Sequence, residues 1–287
     1  MDLSVFPRPG LGKRLWMTAS SLGAPVARRQ PHPQADAGSS AVPALEASPA
    51  SIPESIGDRL PTWHPAAIYG VGLLSCYLAL SAVTTFVGLA ITRWIVPLDG
   101  FESFDASPVQ WMADHRTPFL DSLSLIGSEI SGGFVIPTLV AVVVIISALQ
   151  RRWLLAGFVL AAILLESATY RTTVFFVDRD RPHVERLEAL PVDASFPSGH
   201  VAASIAVYSG FALLLTSRVT STRAKALVWA AALAIPPIVA ASRMYRGMHH
   251  PLDTLAGVLM GIAALTLALL LARTTSVVAR KREARGA

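Results

Sequence analysis

Three short clusters in this sequence combine the residue types that bind and transfer a phosphoryl group. The first is Arg179-Asp180-Arg181-Pro182, the second Phe196-Pro197-Ser198-Gly199-His200, and the third runs Ser242-Arg243-Met244-Tyr245-Arg246-Gly247-Met248-His249-His250-Pro251-Leu252-Asp253. The transition state of phosphoryl transfer spreads negative charge over the equatorial oxygens, so it calls for several positioned donors more than for covalent machinery. Arg181 and Arg243 offer bidentate forks for such an anion. Ser198 is a preferred N-cap, and Gly199 lets the backbone approach a ligand closely. The helix expected to begin there therefore presents free N–H groups and the positive end of its dipole to phosphate. Arg179 and Arg246 fit headgroup or loop contacts better than ligation. Two histidines with different neighbours suggest a nucleophile and an acid. His249 stands four residues before Asp253, with Pro251 suited to the first helical position, so the carboxylate is expected to reach the imidazole across one turn. A ring nitrogen held protonated leaves the other free to attack phosphorus. His249 and Asp253, with His200, would also make a metal facial triad, but the flanking arginines would repel a cation, and no metal is expected.

These blocks, in this order, resemble the tripartite signature of the PAP2 (type 2 phosphatidic acid phosphatase) superfamily of integral membrane lipid phosphatases. That pattern is a lysine, six residues and Arg-Pro; then Pro-Ser-Gly-His; then Ser-Arg, five residues, His, three residues and Asp. The last two blocks match without a gap, whereas the lysine position falls on Val174. The resemblance spans 111–271. It implies a metal-independent phosphatase without a cofactor, with His249 as the nucleophile that forms a phosphohistidine. It also implies Asp253 as the orienter of His249 and His200 as general acid to the leaving alcohol or phosphate; His250 has no role in the pattern. Arg171, one turn before Val174, is a candidate to replace the missing lysine by snorkelling. The substrates implied are lipid phosphomonoesters or diphosphates: polyprenyl diphosphate or phosphate, which is slightly favoured, phosphatidic acid or phosphatidylglycerol phosphate. A noncatalytic anionic-lipid binder or transporter is the alternative; it would need the arginines but no nucleophile. A phosphotransferase or a halide-oxidising relative would use the same cradle.

The elements that must position these residues are membrane helices. With 53% hydrophobic and 15% charged residues and a mean hydropathy of +0.52, the chain is richer in apolar material than a soluble domain of its 287 residues needs. A net charge of +5 could suggest nucleic acid, but the basic residues are dispersed among loops rather than gathered with aromatics, and no nucleic-acid partner is expected. Cys76 is the single cysteine, so no internal disulfide and no cysteine zinc cluster can form. The expected fold is all-α, a polytopic bundle of six transmembrane helices over 61–275. It is preceded by a disordered cytoplasmic tail over 1–60, in which only Leu15-Trp16-Met17 could touch the membrane surface, and followed by a basic cytoplasmic tail over 276–287. The spans expected are 65–92, 130–150, 153–177, 201–217, 226–242 with Pro236-Pro237 inside, and 254–272. Between the first two, 93–129 has partial helical periodicity and interfacial aromatics, as of helices lying along the membrane surface. Glu166 lies inside the third span, where either a functional carboxyl or a polar lock between helices would fit.

Alternating spans bring the end of the third, the start of the fourth, the end of the fifth and the start of the sixth to one membrane face. That is where all three clusters lie. The basic loops containing Arg151-Arg152 and Arg218, Arg223 and Lys225, with the C-terminal basic residues, fall on the opposite side. The positive-inside rule makes that side cytoplasmic. The expectation is a multi-pass plasma-membrane protein with its site facing outside, both termini in the cytoplasm and a lipid phosphate as partner; oligomeric state is left open.

Overall fold

The computed structural model describes residues 42–189 and 193–286, all of whose regular structure is helical. The helices are α1 (Ile52–Arg59), α2 (Pro65–Ile95), α3 (Phe101–Asp114), α4 (Pro118–Glu129), α5 (Val135–Leu149), α6 (Trp153–Phe176), α7 (Gly199–Thr216), α8 (Thr222–Tyr245) and α9 (Pro251–Ala284). Five of them, α2 and α6 to α9, are long and apolar enough to cross a bilayer. The sixth apolar helix, α5, has 15 residues, about 22 Å, and begins later than the expected 130 because Gly132-Gly133 precede it in a turn.

Local chemistry fixes the helix starts. Pro65, Pro118 and Pro251 occupy first-turn positions where a missing N–H costs nothing. Thr117 Oγ1 accepts from Leu120 N at 3.2 Å and Ser221 Oγ from Ala224 N at 3.3 Å. The interior is built around α6, α9 and α2, which pack most extensively on one another. Ala161 and Ala162 of α6 and Ala264 and Ala268 of α9 are buried with Phe158, Leu165 and Val207, so small residues let the helix axes come close.

Two expectations are corrected at the end opposite the clusters. The segment 42–60, expected to be structureless, is folded: Val42, Ala44 and Leu45 are buried, and α1 lies against the last turns of α9. Arg273 Nε donates to the Ala44 carbonyl at 2.9 Å and Ser276 Oγ to that of Leu45 at 3.2 Å. Apolar side chains at 42, 44 and 45 find a partner in α9, which tail composition alone does not reveal. The basic segment expected as a tail from 276 is instead helical through Ala284. Residues 1–41, with Leu15-Trp16-Met17, lie outside the described residues.

Candidate active site

All three clusters meet at one end of the bundle. A pair of glycines on α9 makes the approach tight. A Cβ at Gly257 would sit 2.5 Å from the Ser198 carbonyl oxygen, and one at Gly261 2.6 Å from that of Ala202. Glycine spaced by one turn thus forms a groove that takes the backbone of α7 and sets Ser198–His200 beside His249–Asp253. Ser198 N donates to the Asp253 carbonyl at 3.0 Å, joining the two helix starts. On its other side Gly199 packs on Tyr170 of α6, whose ring carbons a Cβ would meet at 3.0 Å.

His249 is buried between α8 and α9. Its Nδ1 lies 2.7 Å from the Ser195 carbonyl. A carbonyl only accepts, so Nδ1 carries the proton and Nε2 keeps its lone pair. Burial first, then Arg243 and Arg181, push its pKa well below the ordinary histidine value; the Ser195 carbonyl acts the other way, and His200 is near enough to add to the depression. Arg181, Arg243, His200 and His249 therefore share one electrostatic neighbourhood. His200 is the second residue of α7 and half-buried.

Asp253 does not reach His249 directly, contrary to the expectation from their spacing. Its carboxylate accepts from Ser195 Oγ at 2.5 Å, from His250 N at 2.8 Å and from Arg179 Nη1. An aspartate at the third helical position turns back to its own N-cap N–H, which removes it from the side chain one turn earlier. Ser195 links the two, its hydroxyl donating to Asp253 and its carbonyl lying against His249 Nδ1. Arg179 extends this chain: its Nη2 donates to Asp105 of α3 at 2.5 Å, and Asp105 also accepts from Leu252 N at 3.1 Å. Burial first and then Arg179 lower the His250 pKa to about 4, with Asp105 opposing.

Arg243 is fully buried at the end of α8. Its Nη1 donates to Ser128 Oγ of α4 at 2.7 Å and to Glu188 Oε2 at 2.5 Å. Nε and Nη2, the two nitrogens of one fork edge, have no hydrogen-bond partner among the described residues, and neither has the buried Ser198 Oγ. Arg181 is buried as well and donates to the Met248 carbonyl. Arg246 bonds Glu188 and the Leu187 carbonyl, a loop contact as expected. Burial acts to raise the Glu188 pKa, but Arg243 and then Arg246 hold it below the usual carboxylate value. Arg171 is not brought in: it is exposed on α6 with no hydrogen bond or ion pair among the described residues, while its neighbour Tyr170 holds the stripe facing Gly199. Glu166 is buried and accepts from Ser167 Oγ at 2.8 Å, within its own helix.

Asp105, Ser128, Glu188 and Ser195 were not singled out by sequence. Asp105 and Ser128 come from α3 and α4, which cap the site end of the bundle: Tyr245 Oη donates to Asp121 Oδ1 at 2.8 Å, and Arg116 Nη2 to the Tyr245 carbonyl at 2.9 Å. Arg181 and His250 also wall a cleft of about 170 Å³ between the ends of α2 and α3, with Val96, Ala106 and Val184 as apolar lining.

Over 75 residues the chain is 40% identical to an undecaprenyl-diphosphatase of Sulfolobus acidocaldarius, a stretch that is 26% of this chain and 32% of that protein. The match thus spans about a third of the relative's length. The fold is similar to the crystal structure of a transmembrane PAP2-type phosphatidylglycerolphosphate phosphatase from Bacillus subtilis, with a TM-score of 0.55 and 22% identity. That likeness covers 69% of this chain and 92% of the other, and at such identity it is a likeness of fold. The PAP2 superfamily model matches 153–276, a range that contains the Arg-Pro, Pro-Ser-Gly-His and Ser-Arg to Asp253 blocks as well as the Gly257 and Gly261 groove. By that match and the spacing of its blocks, the segment 153–276 of this multi-pass membrane chain is similar to the PAP2 superfamily.

Proposed function

We propose that the chain is a lipid phosphatase that hydrolyses a lipid phosphomonoester or diphosphate at the extracytoplasmic membrane face through a phosphohistidine on His249. The observation that carries this reading is the open edge of Arg243: two buried guanidinium N–H donors beside a neutral imidazole and an unbonded serine hydroxyl. Buried donors without acceptors are costly, and an anion arriving there satisfies them. Arg243, Arg181, Ser198 and the Gly199 N–H would hold the equatorial oxygens. His249 Nε2 attacks phosphorus while the bond to the lipid-side oxygen breaks, and His200 gives that oxygen its proton. Water then attacks the phosphohistidine, His200 takes a proton from it, the P–N bond breaks and inorganic phosphate leaves. Asp253 is the positioning residue, acting through Ser195.

A polyprenyl diphosphate is the favoured substrate class, from the similarity to the undecaprenyl-diphosphatase. The cleft beside Arg181 and His250 offers room for part of the lipid next to the phosphate. An outward-facing site follows from the positive-inside rule, since Arg151, Arg152, Arg218, Arg223 and Lys225 lie at the other end. The test is phosphate release by the full chain in detergent with chelator, from a polyprenyl diphosphate, phosphatidic acid and phosphatidylglycerol phosphate. Wild type is expected to release phosphate and to form acid-labile label on His249. His249→Ala is expected to lose activity about 10⁴-fold or more, and His200→Ala about 10²- to 10⁴-fold. Release from none of the substrates would sink the reading.

A further inference from the structure

The loop between α6 and α7 places a carboxylate among guanidiniums. Arg243 and Arg246 stand three residues apart at the end of α8 and share a face, and Arg181 adds a third buried cation from the loop. Like charges taken out of water together need a counter-charge to stay buried. Glu188 provides it, with Oε2 accepting from Arg243 Nη1 at 2.5 Å and Oε1 accepting from Arg246 Nε. Its place in the fold is fixed by the backbone as well. Leu187 N donates to the Arg246 carbonyl at 3.1 Å, and Arg246 Nη2 returns a bond to the Leu187 carbonyl at 2.9 Å. Arg246 is tied in turn to Ser124 Oγ of α4 at 3.2 Å. Glu188 and Ser128 both take their bond from the same Arg243 nitrogen, so the guanidinium is gripped at one corner and its Nε–Nη2 edge is left over.

Resting on the phosphatase reading, we infer that Glu188 is a positioning residue that aims the open edge of Arg243 and whose charge limits how tightly inorganic phosphate, the product, is held. A cup of Arg181, Arg243 and a helix N-terminus with no internal anion would bind a phosphate dianion and keep it. With Glu188 on one corner of Arg243, the bound phosphate on the opposite edge faces a fixed negative charge about one guanidinium away. At the effective dielectric of a partly buried site, that repulsion is worth about tenfold or more in affinity. Product release, which limits many enzymes, is thereby favoured over retention.

The experiment measures inorganic phosphate both as a competitive inhibitor of lipid-phosphate hydrolysis and by direct titration into the purified full chain. Glu188→Gln keeps the shape and removes the charge. Its inhibition constant for phosphate is expected to fall about tenfold, with kcat lowered several-fold as release slows and KM lowered with it. Glu188→Asp keeps the charge and is expected not to tighten phosphate binding. A purely architectural role predicts the opposite pattern, in which both variants bind phosphate more weakly as Arg243 drifts. Unchanged or weaker phosphate binding in Glu188→Gln, with wild type active, overturns the inference. Should that variant not fold, Glu188→Asp decides: phosphate bound about as tightly as by wild type supports the inference, and tighter binding with the charge retained overturns it. Failure of wild type to release phosphate from any lipid instead removes the phosphatase reading, so the two failures are told apart.

Discussion

Arg179 and Arg243 are both buried guanidiniums at the same end of the bundle, and they are held in opposite ways. Arg179 lies between two carboxylates, Asp105 on one terminal nitrogen and Asp253 on the other, and its own carbonyl accepts from Ser195 N at 2.7 Å. Arg243 has a single carboxylate at one corner and two donors over. A phosphate brought to Arg179 would put a third anion around one cation, which Coulomb repulsion forbids; a phosphate brought to Arg243 completes its hydrogen bonds. The comparison teaches that an arginine near a reacting centre is sorted by its leftover donors, not by its burial or by its place in a motif. The first region is a strut between α3, the loop and α9, and the second is the receptor in the proposed phosphatase.

Breaking the strut is expected to give the largest effect on the protein itself. Arg179→Gln leaves Asp105 and Asp253 buried with their cation gone, at a cost of about 3–5 kcal/mol in stability. Unfolding of the variant in detergent, followed by heat or denaturant, reads this directly. A variant that stays as stable as wild type but binds phosphate poorly would reverse the assignment, making Arg179 the receptor. Arg243 is expected to behave the other way. Arg243→Gln should lower kcat/KM about 10²- to 10³-fold, the range for one positioned donor group at a developing charge, with a smaller change in stability. Arg243→Lys is not expected to restore it, because an ammonium cannot present the two parallel donors of the fork.

A pH scan sharpens the contrast, because one histidine leans on each region. His250 sits against Arg179, with its pKa lowered to about 4, and His249 feels Arg243, with its pKa lowered well below the ordinary value. Unfolded, each titrates near 6.5. Between about 4 and 6.5 the unfolded chain binds the proton that the folded chain refuses, so stability is full above that window and falls as the pH drops through it. The thermal midpoint in detergent is expected to decline on acidification from about pH 7 to about pH 4.5, and His250→Asn to flatten part of that decline. An unfolding midpoint that rose on acidification would contradict the neutral state of both rings.

Much of this organisation was legible in the sequence, and the rest shows where one-dimensional reasoning stops. Charge-free runs disclosed the spans, since hydrocarbon admits little else. Alternation of spans brought His200, Arg243 and His249 to one end without knowledge of a distance. Asp253 was found but given the wrong partner, because spacing allows a contact with His249 while the helix start offers a nearer N–H. The strut was missed: Asp105 lies in a short surface helix far from Arg179 in sequence, and no local pattern couples them. Gly257 and Gly261, one turn apart, were not singled out in the sequence, and their part in the close contact with α7 came from the fold. The folding of 42–60 onto α9 could not be seen, because a few apolar residues in a proline-rich stretch look the same docked or free.

The smallest effect is expected at Arg171, and it tests whether the missing lysine of the first block needs a substitute at all. A long side chain one turn below Val174 could reach an interface by snorkelling, which made it a candidate. In the folded chain the neighbouring Tyr170 takes the direction of Gly199 and the site, and a step of one residue turns Arg171 about 100° away, onto the outer surface of α6. An exposed guanidinium with no hydrogen bond or ion pair among the described residues contributes little to an anion held behind Tyr170, since water and headgroups screen it. Arg171→Ala is therefore expected to change kcat/KM less than about twofold, against the 10²-fold or more expected at Arg243. A loss approaching that of Arg243→Gln would mean that Arg171 swings across Tyr170 when substrate binds, and the receptor would then have two walls of arginine instead of one.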